Sequence, residues 1–156
     1  MMGVKTGVFG FAAACVLALP AGAAAQLPKS YNTPGATVKA GHAQICAADF
    51  ATSVKPVAGW QRTTALERYG LRPESFSGEL DHLVPVSLGG SNDPDNLWPF
   101  HANGSFTLDA KNALAAKLRD QVCAGKLSLK EAQDAFKKDW TKAYSAHMTT
   151  LNAPGQ

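Results

Sequence analysis

The segment from residue 79 to 99 constrains this chain more than any other, because it combines an acid, an imidazole, paired glycines and a carboxamide within 21 residues. Apolar residues around Asp81-His82 predict a short buried strand, and Gly89-Gly90 with Asn92–Pro94 predict turns that reverse the chain. An apolar stretch then begins a return strand. Such a hairpin brings Asp81, His82 and Asn96 within reach of one another, although 14 residues separate His82 from Asn96.

This arrangement is similar to a known nuclease motif, whose residues in this chain are Asp81-His82, Pro85, Gly89-Gly90 and Asn96-Leu97. In this order and spacing they resemble the HNH endonucleases, which have the ββα-metal fold. The flanks extend the resemblance to small secreted HNH-type proteins over residues 44–144, and they include Ile45-Cys46, Ser53–Pro56, Leu97–Pro99, Lys111, Val122-Cys123 and Gln133–Trp140. The resemblance implies an α+β fold in which a ββα-metal (HNH) hairpin and its helix are joined by additional packed helices.

The residue types in the motif suit phosphodiester hydrolysis. Imidazole changes its protonation state near pH 7, so His82 fits a general base that takes a proton from water. Asp81 offers a hard oxygen ligand to Mg²⁺ or Mn²⁺, with Zn²⁺ as the alternative, and such a cation acts as a Lewis acid on the phosphate. The resemblance implies that Asp81 binds the metal, that His82 is the base and that Asn96 braces the hairpin.

The second metal ligand is less clearly marked. The resemblance implies Lys-Asp followed by Leu-Glu on the next helix. The matching positions in this chain are Lys111, Asn112, Leu114 and Ala115. Two carboxylates are therefore missing. The candidates for the second ligand, in order, are Asn112, Asp109 and His101.

Two lysines are candidates for contact with a phosphate. Lys111 follows the motif and is expected near the catalytic residues, and Lys55 lies in the Ser-Val-Lys-Pro segment; the alternative for both is an exposed, solvated side chain. The expected function is a secreted, metal-dependent endonuclease that acts on nucleic acid, with DNA as the first candidate substrate and RNA as the second. The alternative is a non-catalytic nucleic-acid-binding module that keeps the hairpin but has lost a metal ligand.

Residues 1–25 are typical of a secretory signal peptide. They carry one charged residue, Lys5, followed by the apolar run Val8–Leu19 and small residues up to Ala25, and the run is shorter than the ~20 residues that a membrane span needs. Cleavage after Ala25 predicts a secreted or periplasmic protein without a membrane anchor. The remaining chain has 14 basic and 12 acidic residues, a balance that neither supports nor excludes nucleic-acid binding.

The mature part of 131 residues is long enough for one domain, and we expect a monomer. Residues 26–42 contain prolines and little periodicity, which predicts a flexible, exposed arm, and residues 43–150 form the HNH nuclease-like domain. Cys46 and Cys123 remain after cleavage, which predicts one disulfide in an oxidising compartment. The alternative is a pair of buried free thiols.

Three helices are predicted besides the hairpin. Thr64-x-x-Glu67 is a candidate capping box for a short helix that ends at Gly70, with Trp60, Leu66 and Tyr69 buried. A second helix starts near Thr107 or Asp109 and ends at Gly125, and a third begins after Ser128 and continues for about 18 residues. The predicted buried faces of these two helices are Leu114, Leu118 and Val122, and Leu129, Ala132, Phe136, Trp140 and Tyr144.

Overall fold

The computed structural model describes residues 27–148. The predicted signal peptide, Gln26 and residues 149–150 of the predicted domain lie outside the described residues. The described part is a mixed α+β fold with a two-stranded antiparallel sheet. Its elements are α1 (His42–Ile45), α2 (Phe50–Ser53), α3 (Gly59–Arg68), β1 (Glu79–His82), β2 (Leu97–Phe100), α4 (Leu108–Cys123) and α5 (Leu129–Met148). None of these helices is both long and apolar enough to cross a membrane.

The predicted hairpin is present. β1 pairs with β2 so that Asp81 lies opposite Trp98 and His82 lies opposite Leu97. The connecting loop makes two short 3₁₀ turns, at Val86–Leu88 and Pro94–Asn96. Gly90 is required in this loop, because a Cβ atom there would lie 1.8 Å from the main-chain oxygen of Val84. The paired glycines therefore allow the loop to fold back on the end of β1.

Helices α4 and α5 cover the hairpin and supply a large part of the core. The predicted apolar faces of both helices are buried or packed against the core, as their spacing indicates. The indole of Trp140 packs against Phe100 and Phe106, with ring centroids 6.1 and 5.7 Å apart. Its Nε1 is the one buried side-chain polar atom without a hydrogen-bond partner among the residues that the structure describes.

Helix α5 is interrupted, although the sequence pattern predicts one continuous helix. The backbone of Asp139 is not helical (φ −170°, ψ 93°). Its Oδ1 accepts hydrogen bonds from the main-chain N–H groups of Thr141 and Lys142, both at 3.1 Å. This is the geometry of an N-cap, so Asp139 starts a second helical segment. The apolar spacing continues across Asp139, so hydrophobic periodicity does not indicate the interruption.

Helix α3 differs from its prediction. It begins at Gly59, and its first turn is closed by Gln61, whose side-chain oxygen accepts a hydrogen bond from the Ala58 N–H at 2.8 Å. Thr64 therefore lies inside the helix and is not a cap. Leu66 is buried as predicted. The predicted burial of Trp60 is wrong, because a helix that starts at Gly59 turns this side chain outward, where it is 65% exposed.

The described residues of the predicted flexible arm, residues 26–42, make hydrogen bonds with the rest of the fold. Thr33 is fully buried, and its hydroxyl donates to the main-chain oxygen of Leu97 at 3.0 Å. The main-chain N–H of Gly35 donates to Asp95 O, and that of Val38 donates to Gly89 O, each at 2.8 Å. The last two are main-chain contacts with the motif loop, and such contacts have no signature in hydrophobic periodicity. Hydrogen bonds therefore link the described part of this segment to the motif loop and β2, and the domain boundary stays a prediction.

The predicted disulfide is confirmed. Cys46 and Cys123 are joined, with their Cα atoms 5.5 Å apart and a separation of 77 positions along the sequence. The bond connects the end of α1 to the last residue of α4. Closing a loop of this length stabilises the fold by roughly 4 kcal/mol through the entropy of the unfolded chain.

Candidate active site

Asp81 and His82 line a cleft of about 460 Å³. They reach it because β1 ends at His82, beside the N-terminal half of α4. The loop after β1 and helix α2 form its other borders. The residues of α4 that line the cleft are Lys111, Asn112, Ala115, Ala116, Arg119 and Asp120. The motif residues thus lie in a concave site between the hairpin and a helix.

The imidazole of His82 is held by Asn92, a residue that the sequence pattern marks only as part of a turn. Its Nε2 lies 2.8 Å from Oδ1 of Asn92, and Nδ2 of Asn92 donates to the main-chain oxygen of Lys55 at 2.7 Å. A carbonyl oxygen only accepts, so the Lys55 contact fixes the orientation of the Asn92 amide. The amide oxygen then requires Nε2 of His82 to carry the proton, which leaves Nδ1 as the nitrogen that can accept one. Asn92 is ten residues after His82, and no spacing rule pointed to it.

The carboxylate of Asp81 is half-buried and has two donors. Trp98 Nε1 donates to Oδ2 at 3.2 Å, which follows from the cross-strand pairing of the two residues. Lys111 Nζ lies 2.9 Å from the same oxygen. Both contacts use Oδ2, so Oδ1 is the oxygen with which Asp81 can bind a further group.

Lys111 lies inside the protein. Its side chain is 1% exposed, its Nζ donates to the main-chain oxygen of His82 at 2.6 Å, and the ring of Phe136 is 5.3 Å away. Burial lowers the pKa of its ammonium, and the carboxylate of Asp81 limits that shift. The prediction that Lys111 contacts a phosphate does not agree with this position, because the ammonium is buried and bonded to Asp81 and His82. Lys111 instead attaches α4 to the end of β1.

Asn96 is fully buried and ties the loop together. Its Oδ1 accepts from the main-chain N–H of Val84 at 2.8 Å, and its Nδ2 donates to Val84 O at 3.0 Å and to Ser91 O at 2.9 Å. These bonds hold the residues after His82 against those before β2. Asn96 therefore acts on the site through loop geometry.

The other predicted site residues are separated. Asn112 is exposed and lines the cleft with Asp81. Asp109 is also exposed but lines a different depression, with Glu79 and Thr107. His101 lies in a third, beside Phe100. Lys55 contributes its main-chain oxygen to Asn92, and its side chain is exposed. Of the three candidates for a second ligand, the fold brings only Asn112 into the cleft.

The donors in the cleft fit some metals better than others. Within residues 27–148 there is no group of three or more His, Cys, Asp or Glu side chains placed to hold a metal ion. Mg²⁺ is usually held by one or two carboxylates, with water and substrate phosphate completing its shell. The carboxylate of Asp81 and the carboxamide of Asn112 suit such a weakly held ion. Zn²⁺, which takes three or four protein ligands, fits this set poorly.

Comparisons with known protein families, with curated proteins and with solved structures found no match to this chain. Function is therefore inferred from the motif and from the contacts of the described residues.

Proposed function

We propose that this protein is a secreted, metal-dependent endonuclease of the HNH type, in which β1, β2 and α4 form the ββα-metal unit. The observation that carries the proposal is that the imidazole of His82 is held in one tautomer inside the cleft. Its Nε2 is tied to Asn92 and its ring lines the cleft beside Asp81. A histidine held in one tautomer in a cleft with a carboxylate has the arrangement that a general base requires.

In this proposal His82 takes a proton from water at Nδ1 as the oxygen of that water attacks the phosphorus. The bond from phosphorus to one sugar oxygen breaks, and that oxygen takes up a proton from solvent as it leaves. The imidazolium that forms keeps its Nε2 bond to Asn92, so the ring stays in place through the step. Mg²⁺ or Mn²⁺ bound by Asp81 and Asn112 would supply positive charge to the phosphate and to the departing oxygen. The expected substrate is nucleic acid, with DNA as the first candidate and RNA as the second.

Lys111 is a positioning residue in this proposal. Its ammonium bonds both the carboxylate of Asp81 and the main-chain oxygen of His82. A single group from α4 thus fixes the two motif residues relative to the helix. Asn96 does the same for the loop, so both residues act through His82 and Asp81.

The alternative is a non-catalytic, secreted nucleic-acid-binding module on the same fold. A specific contact favours it, since Oδ2 of Asp81 already pairs with an ammonium 2.9 Å away. A cation at Asp81 meets repulsion from that charge. Asn112 and Ala115 stand where carboxylates would strengthen the metal site.

Secretion is part of the proposal. The Cys46–Cys123 disulfide fits an oxidising compartment outside the cytosol, and residues 1–25 have the pattern of a signal peptide. We propose a monomer in the periplasm or the medium.

The test is to incubate residues 26–156 with plasmid DNA and with RNA, in Mg²⁺, in Mn²⁺ and with a chelator. Cleavage should depend on the metal, and His82→Ala should reduce the rate by about 10²–10⁴-fold while the protein stays folded. His101→Ala is the matched control, because His101 is exposed and lines a different depression.

Wild-type protein that binds nucleic acid but cleaves none under any divalent metal would reject the enzyme and support the binding module. Equal losses in His82→Ala and His101→Ala would reject the assignment of His82.

A further inference from the structure

The cleft has a second wall that the motif does not supply. Residues 42–53, named the strap here, run opposite α4 and place Ala48 and Ala51 on the cleft. The strap is fixed to the C-terminal half of α4 by the disulfide and by Arg119, whose side chain donates to Ile45 O at 3.1 Å and to Ala47 O at 2.9 Å. The width of the cleft is therefore set by covalent and hydrogen-bonded contacts.

The strap restricts what can reach Asp81 and His82. Residues of the strap and of α4 line the same cleft, so this face of α4 forms one side of a concave site and not a convex ridge that could enter a groove of a duplex. A volume of about 460 Å³ lies within the range of small-molecule sites, ~300–1,000 Å³. The space suits one nucleotide unit and is too small for a double helix.

The chemistry of the walls points the same way. Ala48 and Ala51 of the strap and Ala115 and Ala116 of α4 all line the cleft, and the acidic and basic side chains that line it balance in number. Duplex binding depends on lysine and arginine contacts with phosphates, since the bases are stacked inside. An unpaired strand exposes its sugars and the faces of its bases, which can lie against apolar side chains.

We propose that the cleft takes an unpaired strand of nucleic acid, and that the nucleotide next to the phosphate at His82 lies between the alanine walls. The strap excludes a duplex from the same position. This inference rests on the proposed function and names its substrate class.

The test uses end-labelled single strands of DNA and of RNA and a blunt duplex of each. With wild-type protein and Mg²⁺ or Mn²⁺, each single strand should be cleaved roughly tenfold faster or more than its duplex, as expected from contacts made to exposed bases. The two sugars separate DNA from RNA as the source of the strand. Duplex cleaved as fast as single strand would overturn the inference and leave the nuclease in place.

A pair of alanine variants tests the cleft itself. Ala116→Trp fills the cleft and should slow single-strand cleavage, whereas Ala113→Trp changes an exposed residue of the same helix that does not line it. Equal rates for the two variants would overturn the placement of the strand.

Binding distinguishes failure of this inference from failure of the proposed function. Fluorescence anisotropy with His82→Ala measures affinity for the same strands without cleavage. If no substrate is cleaved but unpaired strands bind more tightly than duplex, and Ala116→Trp weakens that binding, the nuclease is rejected and the cleft assignment stands. Equal affinity for strand and duplex overturns it.

Discussion

The side-chain oxygen of Asn92 lies 2.8 Å from Nε2 of His82. The other end of the same amide donates to the main-chain oxygen of Lys55, which comes from the segment before α3. Two acceptors in series therefore decide which nitrogen of His82 holds a proton. The main-chain oxygen of Lys55, which is far from the motif in sequence, thus affects the chemistry of the proposed base through Asn92.

Replacing Asn92 should change catalysis more than stability. Asn92→Ala releases the imidazole, so cleavage should slow by a part of the 10²–10⁴-fold factor that a general base provides. Asn92→Asp puts a carboxylate beside Nε2 that stabilises the imidazolium, so the acid limb of the pH–rate profile should move to higher pH. Asn32→Ala, which removes a surface hydrogen bond to Arg68 O, is the control. A pH profile unchanged in Asn92→Asp would contradict the role assigned to Asn92.

The disulfide leads to a prediction about both thiols and stability. Residues 26–156 purified from an oxidising compartment should take up no thiol label when denatured without reductant, and reduction should lower the free energy of unfolding by roughly 4 kcal/mol. The Cys46→Ser, Cys123→Ser double variant should have the lower stability and should not respond to reductant. Two labels per chain before reduction would contradict the pairing.

Several parts of the fold could be predicted from the sequence because their signals are local. Asp81-His82, the paired glycines and Asn96 have the spacing of a hairpin, and Leu114, Leu118 and Val122 repeat at helical intervals. The disulfide followed from the number of cysteines that remain after the predicted cleavage. Each of these depends on residue type and separation along the chain.

The rest depends on which surfaces meet in the folded chain. Lysine is usually a surface residue, and only the packing of α4 against β1 places the ammonium of Lys111 beside Asp81. Asn92 reads as a turn residue because its partners, His82 and Lys55, come from separate segments. The segment that follows Thr33 packs through the main-chain N–H groups of Gly35 and Val38, which any residue but proline can supply.

Asp139 gives a prediction about pH. Burial raises the pKa of its carboxyl, but hydrogen bonds from Thr141 and Lys142 outweigh that effect and hold the pKa below its ordinary value of 3.8. Because the folded pKa is the lower one, the stabilisation is complete above the unfolded pKa and is lost as pH falls through the folded pKa. Asp139→Ala should cost about 1 kcal/mol of unfolding free energy at pH 7, as for the loss of an N-cap, and the difference should shrink below pH 3.8.

Denaturant unfolding between pH 2 and 7 measures this difference. Asp139→Asn keeps a capping oxygen that does not titrate, so its stability should lack the acid step seen in the wild type. A gap between wild type and Asp139→Ala that is the same at every pH would contradict a charge-dependent cap.

Lys111 and a metal ion should compete for Asp81, and this competition can be measured without any cleavage assay. Lys111→Met leaves the carboxylate of Asp81 half-buried without its partner, so the free energy of unfolding should fall by roughly 3–5 kcal/mol. The same change removes the repulsive charge, so Mg²⁺ or Mn²⁺ should raise the melting temperature of Lys111→Met more than that of the wild type. Asn112→Asp should increase the metal-dependent rise further, since a carboxylate attracts a hard cation more strongly than an amide does.

Lys117→Met, which changes a lysine of α4 that bonds His147 O outside the cleft, is the matched control, and Lys111→Arg keeps a charge at the site if the methionine variant does not fold. Equal metal-induced shifts in wild type, Lys111→Met and Asn112→Asp would show that Asp81 and Asn112 do not hold the ion.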